Sequence, residues 1–142
     1  MKILLAVDGS KCSMDAVNCV IEHADWYREK PVVELVTVHL PVPKLPRMGL
    51  VVGKNQIRRY YEEEGEAALA AAKKKLGAAG IAYQARVLVG RVAESIVEHA
   101  SKSRCDLIVV GTRGHTAAAN LVLGSIATKV LHIAKTPVLL VR

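Results

Sequence analysis

A stretch of glycines and hydroxyl residues near the carboxyl end of the chain has the composition of an anion-binding loop. The segment VVGTRGHTAAANLVLGSI, residues 109–126, places Gly111 and Gly114 after a run of branched apolar residues and ends with the pair Gly124-Ser125 and an isoleucine. Glycines let a backbone turn sharply and approach a ligand without a Cβ in the way, and their N–H groups can line an anion nest. The alternative is that these glycines only make a tight connection between a strand and a helix.

Candidate acids, bases and metal ligands are few in this sequence. Asp8 follows an apolar run and could bind ligand hydroxyls, although an Asp-Gly turn or a helix cap would use the same residue. The candidate bases are His39, His115 and Asp8, and His115 is either a group beside bound phosphates or an ordinary exposed loop histidine. Cys19 and His23 stand one helical turn apart, a spacing on a core-facing helix that is more typical of packing than of a metal site. We therefore predict no structural metal.

Composition excludes several classes of protein. The chain has 142 residues, 51% of them hydrophobic, but its apolar runs are far shorter than the ~20 residues that a membrane helix needs. Cys12, Cys19 and Cys105 are odd in number and lack CxxC spacing, so neither a disulfide framework nor a zinc site is expected. The apolar run at the N-terminus is too short for a signal peptide. We predict a single cytoplasmic domain over residues 1–142.

The net charge of +7 favours an anionic partner. Residues 41–56 are rich in proline and glycine and are interpreted as a candidate lid, because long loops in compact domains are usually functional or mobile. Basic side chains in and just after this loop could cover phosphates, namely Lys44, Arg47, Lys54, Arg58 and Arg59. A further basic run, 73–75, is offset by the acidic run 62–66. The chain has four Tyr and one Trp that could stack on bases, so the sequence disfavours a nucleic-acid partner.

Hydrophobic periodicity predicts five strands that alternate with four helices. Strands are expected over residues 2–7, 32–40, 81–90, 105–111 and 136–142. Helices are expected from a cap at Ser10 or Ser13 to about Glu29, over 57–78, over 91–103 and over roughly 121–134. This alternation favours right-handed parallel β-α-β units, and so an α/β doubly wound parallel sheet. Ligands of such sheets bind at the carboxyl ends of the strands, where Asp8 and the glycine segment both fall.

The sequence resembles the universal stress protein family along nearly its whole length. The spacing Gly111-x2-Gly114-x9-Gly124-Ser125 is similar to the ATP-binding signature of that family, and further matches are ILLAVDGS, VTVHL, GRVAESIVEHA, CDLIVVGTRG and TPVLLVR. The resemblance implies a Rossmann-like five-stranded sheet of strand order 3-2-1-4-5 with helices on both faces, a homodimer and a nucleotide ligand. The glycine signatures of dinucleotide dehydrogenases and of P-loop ATPases are absent from the sequence.

The resemblance also implies a role for each residue of the site. The residues expected around the adenine and ribose are Ala6, Val7, Asp8, Leu40, Val110 and Gly111. The residues expected to hold phosphates are Gly114, Gly124, Ser125 and Ile126, with His115 beside them. Ala127 stands where relatives that bind ATP often carry a hydroxyl residue, which predicts a missing or shifted phosphate contact.

Three functions are compatible with these residues. The main hypothesis is an ATP-binding stress protein, dimeric through its C-terminal strand, whose nucleotide is a structural or signalling ligand with slow hydrolysis or none. One alternative is an ATP-hydrolysing enzyme that orients water near Ser125 and His115. The other is a protein-interaction module in which the site is closed. The expected cofactor is ATP, and Mg²⁺ could accompany its phosphates.

Overall fold

Five parallel strands form the central sheet of the computed structural model, which describes residues 1–42, 53–115 and 123–142. The strands are β1 (Lys2–Ala6), β2 (Val32–His39), β3 (Tyr83–Val89), β4 (Leu107–Gly111) and β5 (Val138–Val141). The helices are α1 (Lys11–Glu22), α2 (Lys54–Ala78), α3 (Val92–Lys102) and α4 (Ser125–Ile133). The sheet order is β3-β2-β1-β4-β5 and every adjacent pair is parallel. The predicted doubly wound α/β fold and its strand order are confirmed.

Two hydrophobic clusters, one on each face of the sheet, hold the helices in place. Side chains alternate along a strand, so Leu5 of β1 packs with α1 and α2 while its neighbour Leu4 packs with α3 and α4. Val109 and Ile108 of β4 divide between the same two clusters. Burial on both faces explains why β1 and β4 are continuous apolar runs rather than alternating ones.

The ends of two helices differ from the prediction for local reasons. Helix α1 ends at Glu22 rather than near Glu29, because the backbone of its C-cap His23 departs from helical geometry, with φ −107° and ψ 16°. The His23 Nδ1 lies 2.8 Å from the Cys19 carbonyl oxygen. A short 3₁₀ turn, Ala24–Trp26, follows. Helix α4 begins at Ser125 and not near residue 121, because Gly124 is extended and acts as its N-cap. No described helix is long and apolar enough to cross a membrane.

Part of the candidate lid lies outside the described residues. Residues 43–52, with Lys44 and Arg47, are among those outside, and residues 54–56 belong to the first turn of α2. This helix begins before Ile57, where the prediction placed its start, because the Gly53 N–H donates to Gln56 Oε1 at 3.2 Å and fixes the first turn. The basic side chains of Lys54, Arg58 and Arg59 therefore project from a helix rather than from a loop.

A buried carboxylate toward the amino ends of the strands is surrounded by positive charge. Glu34 of β2 is 3% exposed and accepts from Lys2 Nζ at 2.8 Å and lies 3.1 Å from His99 Nε2. Arg86 Nε of β3 lies 3.7 Å away. Burial alone would raise the pKa of Glu34, but hydrogen bonds from Lys2 and His99 and the charge of Lys2 outweigh it, so its pKa is lowered. Lys2 and His99 therefore stabilise the ionised carboxylate.

Helix α2 packs closely on β3 through a glycine. A Cβ built on Gly65 would collide with Cγ2 of Val87 and lie 2.7 Å from its Cγ1, whereas a Cβ on Gly77, near the end of the same helix, meets nothing within 4 Å. Neither glycine has a positive φ. The two positions therefore separate the effect of close packing from that of helix propensity.

We expect Gly65→Ala to lower the free energy of unfolding by ~1–3 kcal/mol, because the added methyl overpacks the α2–β3 contact. Gly77→Ala is the matched control and should raise it by ~0.5–1 kcal/mol through helix propensity alone. Urea unfolding of both variants measures the difference. Equal effects at the two positions would show that the contact of Gly65 with Val87 does not limit the packing of α2.

Candidate functional site

A cavity of about 660 Å³ opens at the carboxyl ends of β1, β2 and β4. The neighbours of β1 in the sheet are β2 and β4, so β1 is where the strand order reverses and where such sheets leave a crevice. Every residue that the sequence predicted for the site lines this cavity: Ala6, Val7, Asp8, Leu40, Val110, Gly111, Gly114, His115, Gly124, Ser125 and Ile126. The structure thus brings them together, and their contacts with a nucleotide stay a prediction.

Asp8 occupies the turn between β1 and α1 and has one oxygen engaged there. The Ser10 N–H donates to its Oδ1 at 2.9 Å, and the Asp8 N–H donates to Ser13 Oγ at 3.4 Å. Ser10 is the N-cap of α1, and Gly9 permits the turn with a φ of +81°. Burial alone would raise the pKa of Asp8, but hydrogen bonds with Ser10 and Ser13 and the nearby His115 lower it. The carboxylate is therefore ionised at neutral pH.

Two glycines allow the end of β4 to approach β1 and α1. A Cβ on Gly111 would lie 2.7 Å from the carbonyl carbon and oxygen of Cys12, and one on Gly114 would lie 2.6 Å from Asp8 Oδ2. The Gly111 contact is with backbone, which cannot move aside, whereas the Gly114 contact is with the end of a flexible side chain. The predicted close approach is thus present, but against the protein's own α1 and Asp8.

His115 closes the loop after β4 onto the turn after β1. Its Nε2 lies 2.8 Å from the Asp8 carbonyl oxygen, and the residue is exposed. A carbonyl oxygen accepts only, so Nε2 carries the proton of this hydrogen bond. His115 is therefore at the cavity, as expected, and its Nε2 is engaged with the protein.

The N-terminus of α4 faces the cavity with little capping. The Gly124 N–H donates to the Thr112 carbonyl oxygen at 2.7 Å, and the N-cap Gly124 has no side chain with which to cap the helix. Free N–H groups and the helix dipole favour an anion at such an end. Ala127 is 3% exposed and also lines the cavity, while the Thr128 hydroxyl donates back to the Gly124 carbonyl oxygen at 2.9 Å. The hydroxyl of Thr128 therefore does not replace one at position 127.

The apolar walls of the cavity include residues that the sequence analysis missed. Val36 and Val38 stand two apart on β2, and Val92 and Ile96 stand one turn apart on α3. The period-two and period-four spacings were the available signals, but they also describe ordinary core positions. The candidate base His39 and Ala127 also line the cavity, and the remaining lining residues, which the sequence analysis did not assign to the site, are Ser13, Pro41, Val42, Tyr60, Thr112 and Arg113.

Tyr61 of α2 fixes the segment that follows β2. Its hydroxyl accepts from the Val42 N–H at 2.6 Å and lies 3.5 Å from the Leu40 carbonyl oxygen. Leu40 and Val42 are 66% and 43% exposed although both are apolar, so they offer an open hydrophobic wall. Arg58 instead forms an exposed ion pair with Glu62 at 3.0 Å, and neither Arg58 nor Arg59 lines the cavity.

Two buried side-chain atoms in the described part of the chain have no hydrogen-bond partner, and both belong to residues that line this cavity. They are His39 Nε2 and Thr112 Oγ1. Buried polar groups in native proteins are almost always hydrogen-bonded. Both atoms are therefore polar groups that the described residues leave unsatisfied beside this cavity.

Comparisons with known proteins agree with this geometry. A family model described as "Universal stress protein family" matches residues 1–142. The universal stress protein MJ0531 of Methanocaldococcus jannaschii is 35% identical over 141 residues, which are 99% of this chain and 81% of that protein. The solved structure of MJ0577 from the same organism superposes with a TM-score of 0.81 at 26% identity, covering 99% and 94% of the two chains. The structure of a universal stress protein in complex with cAMP superposes with a TM-score of 0.66 at 28% identity. The match covers 100% of this chain and 96% of that one.

We expect Gly111→Ala to lower the free energy of unfolding by ~1–3 kcal/mol or more, because the methyl meets immovable backbone at Cys12. Gly114→Ala should cost clearly less, because Asp8 can rotate away from the methyl. Denaturant unfolding of the two variants beside the wild type measures the contrast. A loss at Gly114 as large as that at Gly111 would show that the Asp8 carboxylate is held rigidly.

Proposed function

Because the chain belongs to the universal stress protein family, we propose that the cavity binds ATP as a structural or signalling ligand. The observation that carries this proposal is the meeting of an ionised Asp8, a glycine loop and an uncapped helix N-terminus in one largely apolar cavity. Ligand sites in proteins combine apolar walls with a few convergent polar groups in this way. The related protein solved with cAMP supports an adenine nucleotide.

The base and sugar occupy the half of the cavity nearest β1 and β2. The adenine packs against Ala6, Val7 and the exposed Leu40, whose backbone reads the edge of the base. Tyr61 holds that backbone through its hydrogen bonds to the segment. Asp8 accepts hydrogen bonds from ribose hydroxyls, as an ionised carboxylate does; its lowered pKa keeps that capacity at neutral pH.

The phosphates occupy the half of the cavity nearest β4 and α4. Gly114 leaves room for them beside Asp8, and the backbone N–H groups at Ser125 and Ile126 are available at the start of a nine-residue helix. Helix N-termini favour phosphate through these donors and the dipole. Mg²⁺ binds chiefly through substrate phosphates and water, so the nucleotide would bring the ion with it.

Binding rather than catalysis is the proposed activity, with hydrolysis slow or absent. The base candidate His115 uses Nε2 to hold the Asp8 carbonyl oxygen, which leaves Nδ1 alone for proton transfer. Phosphate release above background that disappears in His115→Ala would favour the ATP-hydrolysing enzyme instead.

The proposal includes a cytoplasmic homodimer formed through β5. This strand pairs with β4 on one side and is the last strand of the sheet. Its Leu139 is 39% exposed. An unpaired apolar edge is normally covered in native proteins, and a second copy covers it with two-fold symmetry.

We expect freshly purified protein to release ATP on denaturation, identified by mass spectrometry, and stripped protein to bind ATP with Mg²⁺ by calorimetry. Gly124→Val should weaken binding ~10-fold or more, because it places branched carbons at the phosphate end of the cavity. Gly77→Ala, at the far end of α2, is the control and should bind as the wild type does. No released nucleotide together with no binding by the stripped wild type would sink the proposal.

We expect light scattering to show a dimer at micromolar concentration and Leu139→Glu to shift it toward monomer, because like charges would meet across the two-fold axis. Val32→Glu is the matched control, since Val32 is 43% exposed on a strand away from β5. A monomeric wild type, or equal effects of the two substitutions, would contradict pairing through β5.

A further inference from the structure

The first turns of α2 extend beyond the hydrophobic core. The buried residues of this helix all lie in its later part, and they are Gly65, Leu69, Ala72 and Leu76. No residue from Lys54 to Glu64 is buried or belongs to either hydrophobic cluster, although this stretch makes about three turns. Packing against the sheet therefore does not account for the side chains that these turns carry.

Two consecutive tyrosines in these turns have different surroundings. The Tyr61 hydroxyl accepts from the Val42 N–H at 2.6 Å, and the centroid of its ring lies 6.1 Å from that of His39. Tyr61 thus fixes the helix against the segment that follows β2. Tyr60 lines the cavity and is 51% exposed, and its ring lies 5.7 Å from the ring of Tyr61 at an angle of 58°. Tyr60 is therefore held beside the cavity with much of its surface left for a ligand.

Tyr60 belongs to an apolar part of the cavity rim. Leu40 and Val42 line the same cavity and are 66% and 43% exposed. Single exposed apolar residues are ordinary, but three around one cavity form a surface that a partner can cover. The basic side chains next to Tyr60, Arg58 and Arg59, do not line the cavity. Tyr60 and its two apolar neighbours are therefore suited to an uncharged group.

An aromatic ring at this place favours a planar partner. Aromatic side chains bind nucleic-acid bases by stacking, because every base has a π-face, and offset or tilted arrangements of two rings are favourable. An aliphatic side chain at position 60 would also bury apolar surface, but it would not distinguish a planar base from another apolar group. The ring therefore favours a ligand that carries an aromatic base.

We propose that the ring of Tyr60 packs against the base of the bound nucleotide and makes the cavity selective for ligands with a planar base. This inference rests on the proposed nucleotide site and adds to it a contact residue from α2. Tyr61 is a positioning residue, because its hydrogen bond to Val42 and its ring contact with His39 hold α2 beside the cavity.

Tyr60→Ala tests the inference because it removes the ring from a half-exposed position of the helix. We expect the affinities for ATP and for adenosine, measured by calorimetry, to fall together by ~10-fold, the effect of losing one base stack. Tyr60→Phe keeps the ring and should bind both ligands as the wild type does. The Tm of ligand-free Tyr60→Ala should not fall, because the ring is outside the core and Ala has the higher helix propensity.

Trp26 provides both a control and a spectroscopic probe. It is the single tryptophan of the chain, it is 78% exposed, and it does not line the cavity. Trp26→Ala should therefore leave both affinities unchanged. In the double variant Trp26→Phe/Tyr60→Trp the only indole lies at the cavity, and we expect ATP to quench its fluorescence by stacking. The fluorescence of Trp26 in the wild type should not respond to ATP.

A Tyr60→Ala variant that binds ATP as tightly as the wild type would overturn the inference and leave the proposed function standing. A loss of ATP affinity without a parallel loss for adenosine would do the same, because the contact would then not be with the base. A lower Tm of ligand-free Tyr60→Ala, an equal loss of affinity in Tyr60→Phe, or an indole at position 60 that bound ATP does not quench would also overturn it. A wild type that binds neither ligand would overturn both proposals.

Discussion

The backbone contact between Gly111 and the start of α1 determines the geometry of the cavity. Because Gly111 has no Cβ, the end of β4 lies directly against the Cys12 carbonyl and the Ser13 N–H. The loop that follows can then cross the end of β1, where Gly114 leaves space for Asp8 and His115 binds its carbonyl oxygen. A side chain at position 111 would separate β4 from α1. The groups of the cavity that depend on this contact would then move apart.

The buried polar groups at the two ends of the sheet differ in whether they have hydrogen-bond partners. Toward the amino ends, the buried Glu34 lies beside Lys2, Arg86 and His99. Burial raises its pKa, but the interactions with Lys2 and His99 outweigh that effect and lower it. At the carboxyl ends, the Thr112 hydroxyl has no hydrogen-bond partner among the described residues, and the N-cap of α4 is a glycine without a side chain. A buried polar group without a partner is costly, and in the described part of the chain that cost falls at this end of the sheet.

Sequence reasoning was most successful where a residue's role depends on its own neighbours in the chain. The strands follow from short apolar runs, and the glycine loop follows from residue type and spacing. The predicted end of α1 was wrong because the backbone leaves helical geometry at His23, which hydrophobic spacing does not encode. The start of α4 was wrong because the backbone of Gly124 is extended.

Contacts between distant segments of the chain account for what the sequence could not predict about the site. Tyr61 holds Val42 across 19 positions, and Asp8 meets His115 across 107. In the sequence, Thr112 is one hydroxyl residue among several. In the fold, its backbone groups bond to β5 and Gly124, and its Oγ1 has no partner among the described residues. Whether a side chain lacks a hydrogen-bond partner depends on the assembled fold, so no local sequence pattern predicts it.

The internal contacts of the site also determine how a ligand would act on the protein. Asp8, His115 and Gly124 are already held by hydrogen bonds within the chain, so the site is preorganised and a ligand need not order these residues. A ligand would instead cover exposed apolar side chains, Leu40 at 66% and Ile126 at 44%, and supply partners for the unpaired polar atoms. Both effects favour the folded state alone, and ligand binding to the folded state raises stability by mass action. A nucleotide bound here as proposed would therefore stabilise the fold whether or not it is hydrolysed, so the proposed binding role needs no catalytic step.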